Sequence, residues 1–244
     1  MRFNGGAALP WSRVERILSG RPGPTPVPVD HVPDATDTPK VGHSAVPFAE
    51  LHAVSSYSFL RGASEPEELV ARAVELGMQG MALVDRDGFY GLMKFAEAAA
   101  KVGLPAVFGA ELSLEPAPLT VLARTPEGYR RLSRLISRAR MEAGEKDAVR
   151  YPPLAEIAAD LQDECLFLVG WEWAEHFDLL LERIKIDSMV LEYSCTQTPE
   201  DSDRHALLDS CPVPRAIATA RPAAATRDRA RLAGACLLYT SDAA

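Results

Sequence analysis

From Phe48 onward the chain switches repeatedly between two hydrophobic periods. FAELHAV alternates apolar and polar places like a short strand, and MALV (Met81–Val84) is a four-residue apolar run ending in the loop DRDG. Between them, SEPEELVARAVELG has apolar residues at helical spacing, opened by Ser64 with Glu67 and closed at Gly77. The pattern then repeats. LMKFAEAAAKVG is a second helix, stopped by Gly103 and Pro105; AVFGAELSL and LTVLAR are two strands; PEGYRRLSRLISRAR is a third helix. CLFLVG, SMVLEY and RAIATA follow as strands, with AEHFDLLLERIK and DRHALLDS as helices between them. Such alternation predicts the α/β class, with parallel strands joined by right-handed crossovers, and it puts chemistry at the carboxyl ends of the strands.

Upstream the pattern is different. PWSRVERILSG, in residues 1–20, reads as one short helix with Ser12 and Glu15 as a capping box, Gly20 as a stop, and Trp11, Val14, Ile17 and Leu18 as an apolar stripe that must dock on something. Residues 21–47 hold seven prolines and almost no bulky apolar residue, which predicts an extended spacer. At the other end CLLYTSDAA continues no pattern; residues 236–244 read as the translation of a sequencing adapter, so the frame is expected to run on.

Composition narrows the class. With 47% apolar and 25% charged residues among 244, wholesale disorder is excluded. No uninterrupted apolar run of about 18 residues occurs, and MRFNGGAALPWS lacks a secretory apolar core, so the expected location is cytoplasmic, with no membrane partner. Cys165, Cys195, Cys211 and Cys236 lie far apart with no CxxC pair, against both a disulfide scaffold and a zinc ribbon. The net charge of −8 argues against a surface that grips nucleic acid everywhere and leaves room for a local basic face.

Three strand ends carry candidate metal ligands: His52 in ELHAV, Asp85 (with Asp87) in VDRDG, and Glu111 in FGAEL. A hydrolytic centre needs more nitrogen and oxygen donors than these, and Val54 and Arg86 stand where donors would help. Arg86 is expected instead to pair with Asp85, Asp87 or Glu111. Asp85 and Asp87 also have the spacing of an aspartyl-phosphatase loop, but Phe89 follows Gly88 where a small residue belongs, and a strand and helix already precede it. An EF-hand fails for want of further acids at loop spacing. Arg130, Arg134 and Arg138 form a row on the third helix opposite Leu132, Leu135, Ile136 and Ala139; without interleaved aromatics this reads as a solvated face. Trp171 and Trp173 cannot both point inward. His176 and His205 read as surface residues, and His31 and His43 lie in the spacer.

The block Phe48–Leu112 resembles the amino-terminal PHP (polymerase and histidinol phosphatase) domain of bacterial C-family DNA polymerases, and more narrowly the error-prone, translesion relatives of the DNA polymerase III alpha subunit. PWSRVERILSG and TPEGYRRLSRLISRAR are similar to the same subfamily, so the resemblance runs from Pro10 to Leu232. It implies a distorted (β/α)7 barrel of PHP type over 48–232. In metal-binding members the motifs are His-x-His, Thr-Asp-His and a later Glu. Here His52, Asp85 and Glu111 keep their types, and Val54 and Arg86 replace histidines. Trp171 stands in place of a cysteine, Thr196 or a neighbour in place of a later histidine, and ATARPAAA in place of a final Asn-x-His. The resemblance therefore implies the N-terminal fragment of an error-prone DNA-directed DNA polymerase of translesion synthesis and repair. Its PHP-type domain would be a scaffold with a degenerate metal site, without catalytic residues or a bound cofactor of its own. His52, Asp85 and Glu111 would be vestigial ligands. Mg²⁺, DNA and deoxynucleotides would be held by a downstream palm, with translesion accessory proteins and a sliding clamp as further partners. The alternatives are a stand-alone metal-dependent phosphoesterase or nuclease, and a non-catalytic interaction module acting through residues 1–47.

Overall fold

The computed structural model describes residues 46–145, 148–195 and 198–232. The expected helix in 10–20, all but the end of the 21–47 spacer, Thr196 and the 236–244 tail lie outside the described residues.

Seven strands form one sheet in sequence order: β1 (Ala49–Ala53), β2 (Gly80–Leu83), β3 (Ala106–Leu112), β4 (Leu119–Ala123), β5 (Cys165–Val169), β6 (Met189–Ser194) and β7 (Ala216–Thr219). Among the described residues, helices α1 (Pro66–Glu75), α2 (Leu92–Val102), α3 (Pro126–Ala143), α4 (Leu154–Leu161), α5 (Phe177–Arg183) and α6 (Asp201–Asp209) accompany them. The two edges of the sheet approach each other. Val54 N–H donates to the Pro222 carbonyl (3.4 Å), Ala63 N–H to that of Ala223 (2.7 Å), and Ala220 N–H to Glu50 Oε2 (2.8 Å). The result is a nearly closed seven-stranded α/β barrel.

One strand departs from the expected all-parallel order. β4 runs antiparallel to both β3 and β5. Only Ser113–Pro118 joins β3 to β4, whereas a parallel return needs a dozen or more residues, so the chain has to turn back as a hairpin. Two helices, α3 and α4, then carry it to β5. α4 is a short element that the strand–helix reading of the sequence passed over, although Ile157, Ala158 and Leu161 bury its face.

The strands alternate faces as a barrel requires. Met81, Leu83, Leu119, Val121, Phe167, Val169, Met189 and Leu191 point outward under the helices, against Leu69, Phe95, Leu132, Ile136, Ile157 and Leu180 among others. Ala82, Val84, Leu122, Leu168 and Val190 fill the interior. The interior has room for little more at Gly109 of β3. A Cβ there would come within 2.6 Å of the Val121 carbonyl and 2.9 Å of Val84 Cγ1.

Helix ends follow local chemistry. Thr125 caps α3, accepting from Gly128 N–H at 3.1 Å, with Pro126 in the first turn. Gly103 ends α2 in the left-handed region. The opening of α1 corrects the expected Ser64–Glu67 pair: Glu65 and Glu68 form the reciprocal box, one residue later. Ser64 is buried and accepts from Ala225 N–H (2.9 Å), so it serves the barrel seam instead. On α3 the arginine row is a solvated, ion-paired face: Arg130 and Arg131 meet Glu127, and Arg138 meets Glu142. Trp173 is buried with its indole N–H on the Pro118 carbonyl (2.7 Å), while half-buried Trp171 lies under Arg204. Cys165, Cys195 and Cys211 are free thiols.

Candidate functional site

Above the apolar plug the same inward positions turn polar toward the carboxyl ends of the parallel strands. In β3 the inward series runs Val107, Gly109, Glu111; in β6 it runs Val190, Glu192, Ser194. β1, irregular between Glu50 and Ala53, contributes His52. The structure thus brings two of the three expected residues together: His52 Nε2 lies 3.6 Å from Glu111 Oε2, and both are buried.

His52 has a second carboxylate that the sequence reading missed. Its Nδ1 lies 2.7 Å from Glu192 Oε1. Burial opposes a charge on His52, but the hydrogen bonds to Glu111 and Glu192 outweigh it and raise its pKa. Both glutamates stay ionised in turn. Burial pushes Glu111 up, yet His52 and Arg61 bring it down to about 2, and burial of Glu192 is overcome by His52 and Arg221.

Two arginines complete the cluster. Arg61 Nη1 donates to Glu111 Oε1. Arg221 grips Glu192 with two nitrogens, Nη2 to Oε2 at 2.7 Å and Nε to Oε1 at 3.2 Å, and also donates to Glu172. Thr219 Oγ1 adds a bond to Glu192 Oε1 (2.6 Å). Glu50 sits beneath, taking the His52 and Ala220 N–H groups at 2.8 Å each; its burial, only partly offset by these bonds, raises its pKa. Glu50 and Glu192 had a readable signal, being acids inside buried strands. Arg61 and Arg221 had none, since they stand in loops.

Asp85 and Asp87 occupy separate places. Asp85 Oδ1 accepts from Ser55 N–H (2.9 Å) and from the Ser58 hydroxyl (2.8 Å), and the Ser55 hydroxyl lies 2.9 Å from both its oxygens. Asp87, at φ +49°, accepts from Ser113 N–H (2.8 Å), the Ser113 hydroxyl (2.6 Å) and the Tyr151 hydroxyl (2.8 Å). Arg86 pairs with Asp87 at 3.7 Å and donates Nε to Ser113 Oγ (2.6 Å). Of the three acids open to it, Arg86 thus takes Asp87; Glu111 is held by Arg61.

The family's ligand types invite a divalent ion here, and the donor set does not fit one. Every carboxylate oxygen of Glu50, Asp85, Glu111 and Glu192 already faces an N–H, O–H or imidazole partner. Two guanidinium groups supply the positive charge an ion would bring. Among the described residues no group of three or more His, Cys, Asp or Glu is placed to hold a metal.

The profile of the PHP domain matches residues 50–193 of this chain. The chain belongs to the PHP-domain family. The barrel is also similar to solved structures: a Bifidobacterium adolescentis protein described as a metal-dependent phosphoesterase (TM-score 0.52, 13% identity, 80% of this chain and 98% of that one) and an amidohydrolase from Chromobacterium violaceum (TM-score 0.51, 16% identity, 72% and 87%). At such identities the likeness concerns the PHP fold alone. Curated relatives are much nearer in sequence. "Error-prone DNA polymerase" from Corynebacterium glutamicum is 46% identical over 96% of this chain and 23% of its own length. The protein of the same name from Corynebacterium diphtheriae is 50% identical over 94% of this chain and 22% of its own length. That of Mycobacterium tuberculosis is 48% identical over 58% and 15%. The chain therefore spans about a quarter of the length of the two Corynebacterium relatives and less of the Mycobacterium one, and the matched part includes the PHP domain.

Proposed function

We propose that this PHP domain belongs to an error-prone DNA polymerase of translesion synthesis and serves it as a folded support that needs no metal. The observation that carries the reading is the 46% identity to such a polymerase across nearly the whole chain. The intact protein would extend primers through Mg²⁺ held by carboxylates of a downstream palm, aligning the 3′-hydroxyl and the pyrophosphate leaving group. DNA and deoxynucleotides would be its substrates, with translesion accessory proteins and a sliding clamp as partners, in the cytoplasm. No helix among the described residues is long and apolar enough to cross a membrane.

The barrel mouth supports the scaffold part of the reading. His52, Asp85 and Glu111 would be remnants of a ligand set, with Arg61 and Arg221 now neutralising the acids. With the oxygens of these acids already engaged by protein donors, none is left over to hold a metal that would activate water, so hydrolysis of phosphoesters is not expected of the domain. Long-read sequencing of the source DNA through the codons for residues 230–244 tests the parent assignment: a long frame with clustered acidic palm residues is expected, and a stop codon directly after Ala244 would overturn it. A nuclease assay with Mn²⁺ or Zn²⁺ tests the scaffold. No activity is expected, and metal-dependent cleavage that disappears in Glu111→Ala would refute it.

A further inference from the structure

Beside the cluster, on the outer side of Asp87, an open cleft of about 410 Å³ is lined by Arg86, Arg140, Tyr57, Phe59, Tyr90 and Ser113, among others. The mechanism of the cluster makes no use of it. Arg86 spends only Nε on Ser113, and Arg140 spends Nε (3.1 Å) and Nη2 (2.8 Å) on the Asp87 carbonyl. Their remaining N–H groups make no hydrogen bond among the described residues, although the Arg140 guanidinium also lies over the Tyr90 ring. The single carboxylate in the lining, Asp87, is buried and engaged with Ser113 and Tyr151, so two guanidinium groups face the cleft against one screened acid.

Aromatic rings flank these cations. Phe59 is 84% exposed, Tyr90 51% and Tyr57 38%, so three rings are open to solvent along one cleft. Arg140 lies 5.5 Å from the Tyr90 ring centre and Lys94 5.5 Å from that of Tyr57, which holds both rings in place. Cations that can fork onto phosphate, interleaved with ring faces that can stack, are what a single nucleic-acid strand requires. An acidic peptide would use the guanidinium groups and leave the flat ring faces without flat partners.

We propose that this cleft binds a single nucleic-acid strand, with Arg86 and Arg140 on backbone phosphate and Phe59, Tyr57 and Tyr90 against bases, and without a metal ion. The proposal is independent of the polymerase reading, which the sequencing result decides by itself.

Fluorescence anisotropy of a labelled oligothymidine of about 12 nucleotides, titrated with the full chain in EDTA, tests it. Saturable binding is expected, weakened about tenfold or more by Arg86→Glu and about fivefold or more by Phe59→Ala. The control Arg130→Glu makes the same charge change on the outer face of α3 and should leave binding unchanged. For two phosphates the slope of log affinity against log salt should be about −1.4. Absence of saturable binding at millimolar protein overturns the proposal, as does equal loss in Arg130→Glu, which would mean diffuse attraction. It also fails if thymidine monophosphate competes as well as the oligonucleotide, or if the cleft variants affect only capture of another protein. Arg86 and Phe59 are both exposed, and Phe59→Ala, neutral in charge, decides the matter if Arg86→Glu loses its fold.

Discussion

At the scale of single residues, the barrel mouth is held by charges that cannot leave one another. Glu192 is fully buried, and without Arg221 it would keep only His52 and Thr219 as partners. Arg221→Met should therefore destabilise the protein by about 3–5 kcal/mol, read from urea unfolding. A cost below about 1 kcal/mol would mean that His52 and Thr219 suffice. The pH dependence has a definite sign. Because the His52 pKa is raised in the folded state, its contribution is complete below the unfolded value of 6.5 and is lost as pH climbs through the folded one. Glu111, held near about 2, contributes above 4.5 and loses that contribution only as pH falls toward 2. The stability difference between wild type and His52→Gln should thus be greatest between pH 4.5 and 6.5 and should shrink on the alkaline side. A difference that instead grows as pH rises through 6.5 would show that His52 is neutral in the folded state.

At the scale of elements, the strands were legible because their apolar runs are short and bounded, and the three expected ligands were legible because they end such runs. The reversal of β4 was present in the sequence too, as the shortness of Ser113–Pro118, but periodicity alone carries no direction. Charge pairing was not legible: Arg61 is 50 residues from Glu111 in sequence and Arg221 is 29 from Glu192, and only the lateral assembly of the strands brings them together. β3 offers a direct test of how tightly that assembly packs. Gly109→Ala inserts a methyl group against backbone and against Val84, so it should cost about 1–3 kcal/mol by urea unfolding. Gly103→Ala, where a Cβ meets nothing within 4 Å but φ is +68°, separates backbone strain from crowding.

At the scale of the whole molecule, guanidinium and imidazolium groups do the cohesive work that an ion does in a metal-built barrel. Exhaustive dialysis against EDTA should leave Tm within about 2 °C, whereas a metal-built domain would lose far more. A large drop reversed by Zn²⁺ would contradict the donor geometry. Every strand lies beside its neighbour in sequence, from β1 through to β7. As the chain leaves the ribosome, each new strand therefore finds its partner already made, and nothing has to wait for a distant segment until the last. The return of residues 220–225 onto residues 50–64, with the His52–Glu192 contact, joins the two ends of the domain, while Arg221 reaches Glu192 through the pairing of β7 with the adjacent β6. A nascent chain stalled before β7 holds Glu192 without Arg221 and Thr219, so the quality-control machinery of the cell would meet an unfinished domain as a locally frayed one.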